Sequence, residues 1–277
     1  MKKLTALTVL AASAALSTSV AAQTISYSDF SSTAGLQING NAFQNGNKLT
    51  LTPATYSQGG SAFSTSKVSL AANASFSTVF KFDIQDRGGL AGGADGLTFT
   101  MQTNSNTVGG SGGGIGYAGI PNSVAVEFDT YDNGEPGGSN HVGIDVNGSM
   151  NSVVSSGFLS PDFDNGAFWW AWVDYDGVIQ KLDVRWSQTS TRPLAAMLSA
   201  SGLDLPTILG SNQVYVGFTA GTGAGYGQHN IDSWNFADTF VEGGAPDPTV
   251  TPEPASFVLM LTGLGALGVG VRRRQRR

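Results

Sequence analysis

Strand periodicity constrains this chain more than any other feature. Phe76, Thr78, Phe80, Phe82 and Ile84 alternate with Ser77, Val79, Lys81 and Asp83, so an extended segment here has one largely apolar face. Short runs of the same kind recur, among them Leu36-Gln37-Ile38-Asn39, Lys48-Leu49-Thr50-Leu51, Leu97-Thr98-Phe99-Thr100-Met101 and Val214-Tyr215-Val216-Gly217-Phe218. Asn39-Gly40, Asn45-Gly46 and Asp176-Gly177 break the runs with hairpin-turn pairs. No stretch sustains a helical period, and residues 194–198 predict a single helical turn at most. About a dozen short strands in 277 residues predict one large domain built as an antiparallel two-sheet sandwich. The 38 glycines suit many tight turns. With 40% hydrophobic and 12% charged residues, the composition fits a packed domain and not a disordered chain. The chain has no cysteine, which excludes disulfides and thiolate metal sites. Bound ions remain a way to staple the loops of an exported domain.

Both ends carry addresses. Met1-Lys2-Lys3, the apolar residues 4–16 and the small residues Val20-Ala21-Ala22 have the layout of a secretory signal peptide, so the mature chain is expected to begin near Gln23. At the other end, Pro252-Glu253-Pro254 precedes an apolar stretch, residues 255–271, and then Arg272-Arg273-Arg274-Gln275-Arg276-Arg277. That stretch is just long enough to span a bilayer, with the basic tail on the cytoplasmic side. Without the two ends the chain keeps seven basic and nineteen acidic residues, a net charge of −12. Such a domain is repelled by nucleic acid and by anionic membranes, and its natural partner is a neutral ligand or a cation.

One segment calls for a cation. Residues 124–129 and 141–146 are strand-like and flank a polar turn, placing Glu127, Asp129, Asn133, Glu135 and His141 within fifteen residues. In an extended strand Glu127, Asp129 and Tyr131 share a face. Two carboxylates that close together repel unless a positive charge lies between them. Carboxylate and amide oxygens suit a hard ion such as calcium, and an added imidazole suits a transition metal. An EF-hand does not fit, because Tyr131 occupies its third loop position and Asn140 its twelfth. The residues 109–117 form a glycine-rich loop that offers a ligand little beyond backbone. The tryptophans of Phe168-Trp169-Trp170-Ala171-Trp172 read as core, and His229 reads as a surface or strand-packing histidine.

Taken together, Ser75-Phe76-Ser77-Thr78-Val79-Phe80, Ala94-Asp95-Gly96-Leu97-Thr98-Phe99, residues 124–130, His141-Val142-Gly143-Ile144-Asp145-Val146-Asn147, Val216-Gly217-Phe218-Thr219-Ala220 and Ser233-Trp234-Asn235-Phe236 resemble the legume-lectin (L-type) family. The resemblance runs from near residue 23 to residue 240. It implies an all-β, concanavalin-like jelly-roll sandwich that binds carbohydrate reversibly without catalysis, beside a paired calcium and transition-metal (manganese-type) site. By position, Glu127, Asp129, Glu135 and His141 correspond to the transition-metal ligands, and Asp129, the Tyr131 carbonyl, Asn133 and Glu135 to the calcium ligands. Asp129 and Glu135 would bridge the ions. Ser152 stands where a water-mediated ligand would. Two departures stand out: the family usually has aspartate at the position of Glu135, and the turn here is shorter.

The same resemblance assigns sugar binding to Asp95, Asn133 and the amide of Gly113, with Tyr131 offering an apolar ring face. It also implies a cis peptide at Ala94-Asp95 and a variable specificity loop at Gly223-Ala224-Gly225-Tyr226, where Ala224 and Gly225 supply backbone contacts and Tyr226 the discriminating side chain. The C-terminal layout resembles the PEP-CTERM sorting signal, which implies cleavage by a membrane sorting protease and a cell-surface or extracellular location; a plain single-span anchor is the alternative. The chain then divides into a signal peptide (1–22), a lectin-like domain (23–242), a linker (243–251) and a sorting signal with its transmembrane stretch (252–277). Expected partners are a glycan or extracellular polysaccharide, with no nucleic acid and with a homo-oligomer left open. Two other readings remain at this point. Glu127-Phe128-Asp129 opens a glycosidase-like run of the same sandwich architecture, although Asp132 stands where its second glutamate belongs. A structural matrix protein without binding is the other.

Overall fold

The alternating runs are strands. The computed structural model describes residues 24–249, apart from Ala71. In chain order the strands are β1 (Thr24–Tyr27), β2 (Leu36–Gly40), β3 (Phe43–Asn45), β4 (Lys48–Thr52), β5 (Gly59–Ser64), β6 (Val68–Ser69), β7 (Phe76–Gly89), β8 (Gly96–Gln102), β9 (Ser123–Asp129), β10 (His141–Val146), β11 (Val154–Ser155), β12 (Trp169–Asp176), β13 (Lys181–Ser187), β14 (Leu198–Ser201), β15 (Gln213–Gly221) and β16 (Gly225–Ala237). They form two antiparallel sheets. One runs β14-β13-β12-β7-β16-β4-β3, with β1 also on β16; the other runs β11-β10-β9-β8-β15-β5-β2, with β6 also on β15.

The core lies between the sheets and is built mainly from aromatic rings. Phe80 of β7 meets Phe218 of β15 at 5.1 Å and Phe128 of β9 at 5.9 Å between centroids, while Phe82 meets Phe128 at 4.9 Å. Phe76, Phe99, Phe163, Trp234 and Phe236 extend the cluster, all at most 2% exposed. Rings at these separations in edge-on or offset geometry add about 0.5–1.5 kcal/mol per pair beyond their burial.

The outer faces of both sheets are covered as well. On the second sheet, Tyr117 and Ile120 pack down on Ala125, and Thr219 Oγ1 donates to the Ile115 carbonyl at 2.7 Å. On the first sheet the proline-rich stretch that reads as a linker is, over residues 243–249, fastened to the domain. Ala245 packs against Val79 and Trp172, Asn235 Nδ2 donates to the Pro246 carbonyl (2.7 Å), and Trp170 Nε1 donates to Asp247 (3.0 Å). This strap covers Val79, on the face opposite the apolar one, which is 1% exposed.

Two local expectations change. Residues 194–198 form no helical turn, and Leu194 is 97% exposed. The short helix α1 (Leu205–Leu209) lies just downstream, where Asp204 caps it by accepting from Thr207 N and Pro206 sits in the first turn. His229 follows the second of its two readings, strand packing: it is fully buried, with Nδ1 2.6 Å from Thr52 Oγ1 on the neighbouring strand. Burial pushes its pKa down to about 3. The loop expected at Gly223-Ala224-Gly225-Tyr226 is a tighter turn, because β15 continues through Gly221 and β16 begins at Gly225, paired with Gly89. The signal peptide, the Pro-Glu-Pro motif and the apolar basic tail lie outside the described residues. Among the described residues no helix is long and apolar enough to cross a membrane.

Candidate functional site

Register assembles the acidic cluster. In the β9–β10 pair His141 lies opposite Asp129 and Gly143 opposite Glu127. Val126 and Phe128 fill the core, so Glu127 and Asp129 leave by the other face, as the period-two pattern requires. Loops cover that face, and Glu127, Asp129 and His141 are all fully buried. Gly143 makes the arrangement sterically feasible: a Cβ at this position would overlap Glu127 Oε1 and Ser152 Oγ.

The imidazole is held in an orientation suited to ligation. His141 Nδ1 donates to the Gly138 carbonyl at 2.8 Å and Nε2 lies 3.0 Å from Glu127 Oε1, which also accepts from Ser152 Oγ at 2.6 Å. The bond from Nδ1 to a carbonyl fixes the ring's orientation and aims Nε2 at Glu127, where a metal held by both would take the place of their hydrogen bond. Burial alone would lower the His141 pKa, but the Glu127 hydrogen bond and charge, helped by Gly138 and Glu135, outweigh it and raise the value. Asp129 Oδ1 accepts from Tyr131 N at 2.7 Å, and Glu135 Oε1 accepts from Asn133 N at 3.1 Å. Ligand atoms of Asp129, Glu135 and His141 lie within 4.8 Å of one another.

A cation fits this set. Glu127 Oε2, Asp129 Oδ2 and Asp95 Oδ2 are buried with no hydrogen-bond partner. Buried carboxylate oxygens are costly unless paired or coordinated. Among the described residues, the cluster's one ion pair is His141 with Glu127. Burial, then the charge of Glu127, pushes the Asp129 pKa well above the ordinary carboxylate value. Oxygen donors plus one imidazole suit a hard ion beside a transition ion. The sequence reading gave no role to Asp145, which is fully buried on the same face of β10 as His141, its pKa raised by burial and by Glu127. The spacing His141, Gly143, Asp145 carried that signal.

Next to the cluster lies a second group. The Ala94–Asp95 peptide is cis. Asp95 N donates to the Gly221 carbonyl at 3.1 Å, and the Asp95 carbonyl accepts from Thr130 N at 3.0 Å, tying it to both neighbouring strands' ends. Asn133 Nδ2 lies 3.5 Å from Asp95 Oδ1, at the outer limit of a hydrogen bond. Burial first, then Glu135, pushes the Asp95 pKa to about 6 against the Asn133 contact. Gly113 sits in a one-turn 3-10 segment (Gly112–Gly114) against Asn133: an added Cβ would come within 2.5–2.6 Å of its side-chain atoms. The Gly223 Cβ position is 3.4 Å from Asp95 Oδ2, and the Ala224 carbonyl accepts from Leu90 N at 2.9 Å. Asp95, Gly113, Asn133 and the 222–224 turn therefore converge, and Gly225 backs onto Ala94 and the Leu90 carbonyl. Tyr226 is positioned differently. Its ring lies over Gly88 and Gly89, edge-on to Tyr56 at 4.8 Å. Tyr131 forms one wall of a pocket with Arg87, Gly93 and Asp164.

The two-sheet sandwich that carries these residues has counterparts. A family profile for the legume lectin domain matches residues 22–251. The chain belongs to the legume lectin family. A second profile, for the PEP-CTERM protein-sorting motif, matches residues 250–274 and points to export with a C-terminal sorting tail. Among curated relatives, the seed lectin of Styphnolobium japonicum is 32% identical over 197 residues, 67% of this chain and 65% of that protein. The L-type lectin-domain containing receptor kinase VIII.1 of Arabidopsis thaliana is 34% identical over 60% of this chain, which spans only about a quarter (24%) of that kinase. Among solved structures, the lectin from Bauhinia forficata in complex with GalNAc superposes with a TM-score of 0.66 at 26% identity, covering 78% of this chain and 97% of that one. The metal-free form of lectin I-B4 from Griffonia simplicifolia gives 0.65 at 28% identity over 77% and 98%. The sandwich of this lectin domain is thus the jelly roll expected. Its family consists of non-catalytic carbohydrate-binding proteins, which sets the glycosidase reading aside.

Proposed function

We propose that this chain is an exported lectin whose sugar site is organised by bound metal. The supporting observation is the set of buried carboxylate oxygens without partners, Glu127 Oε2, Asp129 Oδ2 and Asp95 Oδ2, beside a His141 ring already oriented by Gly138. Glu127, Asp129, Glu135 and His141 would hold a transition ion such as manganese. Asp129, the Tyr131 carbonyl, Asn133 and Glu135 would hold calcium. The ions supply positive charge that neutralises the cluster and fixes the 129–135 turn.

The protein's own residues then recognise the sugar. Asp95 accepts from two hydroxyls, Asn133 Nδ2 and the Gly113 amide donate, Tyr131 presents a ring face, and the 224–225 backbone closes the far side. Relatives solved with GalNAc and with methyl-α-D-galactose support a carbohydrate ligand. Residues 1–22 would be removed on export and residues 252–277 would direct sorting by a membrane protease, leaving the domain (23–242) and the linker (243–251) at the cell surface or outside. The test is a glycan array with calcium and manganese present, run with the parent and with Asp95→Ala. Retention of a defined glycan set by the parent and its loss in D95A is expected; equal binding by both, or none by either, refutes the assignment.

A further inference from the structure

Asn133 carries the amide donor of the proposed sugar site, and the residue after it is glycine. An Asn-Gly pair is chemically labile where the backbone is loose, because no Cβ on the second residue shields its nitrogen from the asparagine Cγ. The chain has five such pairs: Asn39-Gly40, Asn45-Gly46, Asn133-Gly134, Asn147-Gly148 and Asn165-Gly166. Four are held. Asn39 lies in β2, its Nδ2 bonded to Ser61 Oγ at 3.1 Å and to the Asn106 carbonyl at 2.7 Å. Asn45 lies in β3, paired with Lys48. Asn147 N donates to the Ser123 carbonyl at 2.9 Å, and Gly148 N to the Tyr117 hydroxyl at 3.1 Å. Asn165 Oδ1 accepts from Ala167 N at 2.9 Å, and Gly166 N donates to the Ile84 carbonyl at 3.1 Å.

Asn133 differs on every count. It is exposed, residues 130–140 contain no strand or helix, and a Cβ on Gly134 would meet nothing within 4 Å. Its Nδ2 has the 3.5 Å contact with Asp95 and no other hydrogen bond among the described residues. Gly134 N is not tied to a strand; it donates to the side chain of the preceding residue, Asp132 Oδ1, at 2.8 Å. A carboxylate there takes up the N–H proton as the nitrogen attacks. We propose that Asn133 is a site of spontaneous deamidation, guarded by the calcium ion, that switches off the sugar site; the inference rests on the sugar reading of Asn133. Gly134 N bonds to Asn133 Cγ, the Cγ–Nδ2 bond breaks, and the side-chain nitrogen leaves as ammonia from a cyclic imide. Water then opens the imide at either carbonyl. Water is consumed and ammonia released, with no redox change. The product, aspartate or its β-linked isomer, has lost the donor and sets a second carboxylate against Asp95, where like charges repel. Calcium held by Asn133 Oδ1 would keep Cγ from swinging onto Gly134 N.

Ageing the exported protein at neutral pH tests this. Peptide mass spectrometry reads all five pairs through the mass gained when OH replaces NH2. After chelation Asn133 should convert at least about tenfold faster than any of the other four, and calcium should remove that difference. On the same samples, calorimetry with methyl glycosides of galactose, N-acetylgalactosamine, mannose and glucose should show binding capacity falling in step with intact Asn133. Asn133→Asp, which is one of the two products, should bind the preferred glycoside about 5- to 150-fold more weakly than the parent, with its melting temperature kept as the check on folding. Conversion of Asn133 no faster than that of Asn45 after chelation, or a rate unchanged by calcium, overturns the proposal. Conversion that leaves glycoside binding intact overturns the switch and the sugar role of Asn133 together. An unaged parent that binds none of the glycosides overturns the sugar reading itself, and the mass readout distinguishes that outcome from failure of the modification.

Discussion

Gly113→Ala is a one-methyl perturbation that reaches the sugar site and leaves every charge in place. The added Cβ would sit 2.5 Å from Asn133 Cγ and 2.6 Å from both Nδ2 and Oδ1. Carbon contacts relax at about 3.5–4.0 Å, so the Asn133 side chain must retreat by about 1 Å. Its contact with Asp95, already 3.5 Å, cannot survive that shift. A sugar hydroxyl that loses this amide is left unpaired at a cost of about 1–3 kcal/mol, or roughly 5- to 150-fold in affinity. Folding should be almost untouched. Gly113 is not in the left-handed backbone region, and Asn133 is exposed, so the stability change should stay within about 0.5 kcal/mol. Calorimetry with the sugar the parent binds measures the first quantity and thermal unfolding the second. G113A binding within twofold of the parent refutes the placement of Asn133 in the site; lost binding with a collapsed melting temperature refutes the steric reasoning.

Other perturbations address the layers beneath. Gly143→Ala should push Glu127 off its position between His141 and Ser152 and weaken manganese binding about 10- to 100-fold, read by manganese spin-resonance titration, with calcium affinity changed much less. Phe80→Ala removes the ring that touches Phe128 and Phe218 across the sandwich and should cost about 3–5 kcal/mol in denaturant unfolding. His229→Gln tests the buried histidine. Its folded pKa, about 3, lies below the unfolded 6.5, so its stabilisation is complete above 6.5 and is lost as pH falls toward 3. Between pH 7 and pH 5 the parent should therefore lose roughly 2 kcal/mol more than H229Q; parallel stability curves contradict that.

The fold was legible because period-two alternation and Gly turns carry it directly. Phe80, Phe82, Phe128 and Phe218 are where the alternating pattern puts them. The metal-like cluster was legible for the same reason: Glu127 and Asp129 share a strand face, and His141 returns on the next strand in register. What the sequence did not disclose depends on contacts between distant segments. The strap at 243–249 looks like a linker by composition, yet its hydrogen bonds go to Asn235 and Trp170, on strands the sequence does not pair with it. Arg87, Asp162 and Asp164 come together only when the end of β7 meets the turn before β12. The helix at Leu205–Leu209 was missed although Asp204 and Pro206 signal a start, because five residues give no period to read.

The central claim is that bound cation holds Asp95 and Asn133 in position for sugar. One calorimetric series tests it: titrate the preferred glycan into the parent protein with calcium and manganese, after chelation, and after calcium and manganese are restored. Binding should vanish with chelator and return with the ions. Undiminished binding in the chelated protein would contradict the account.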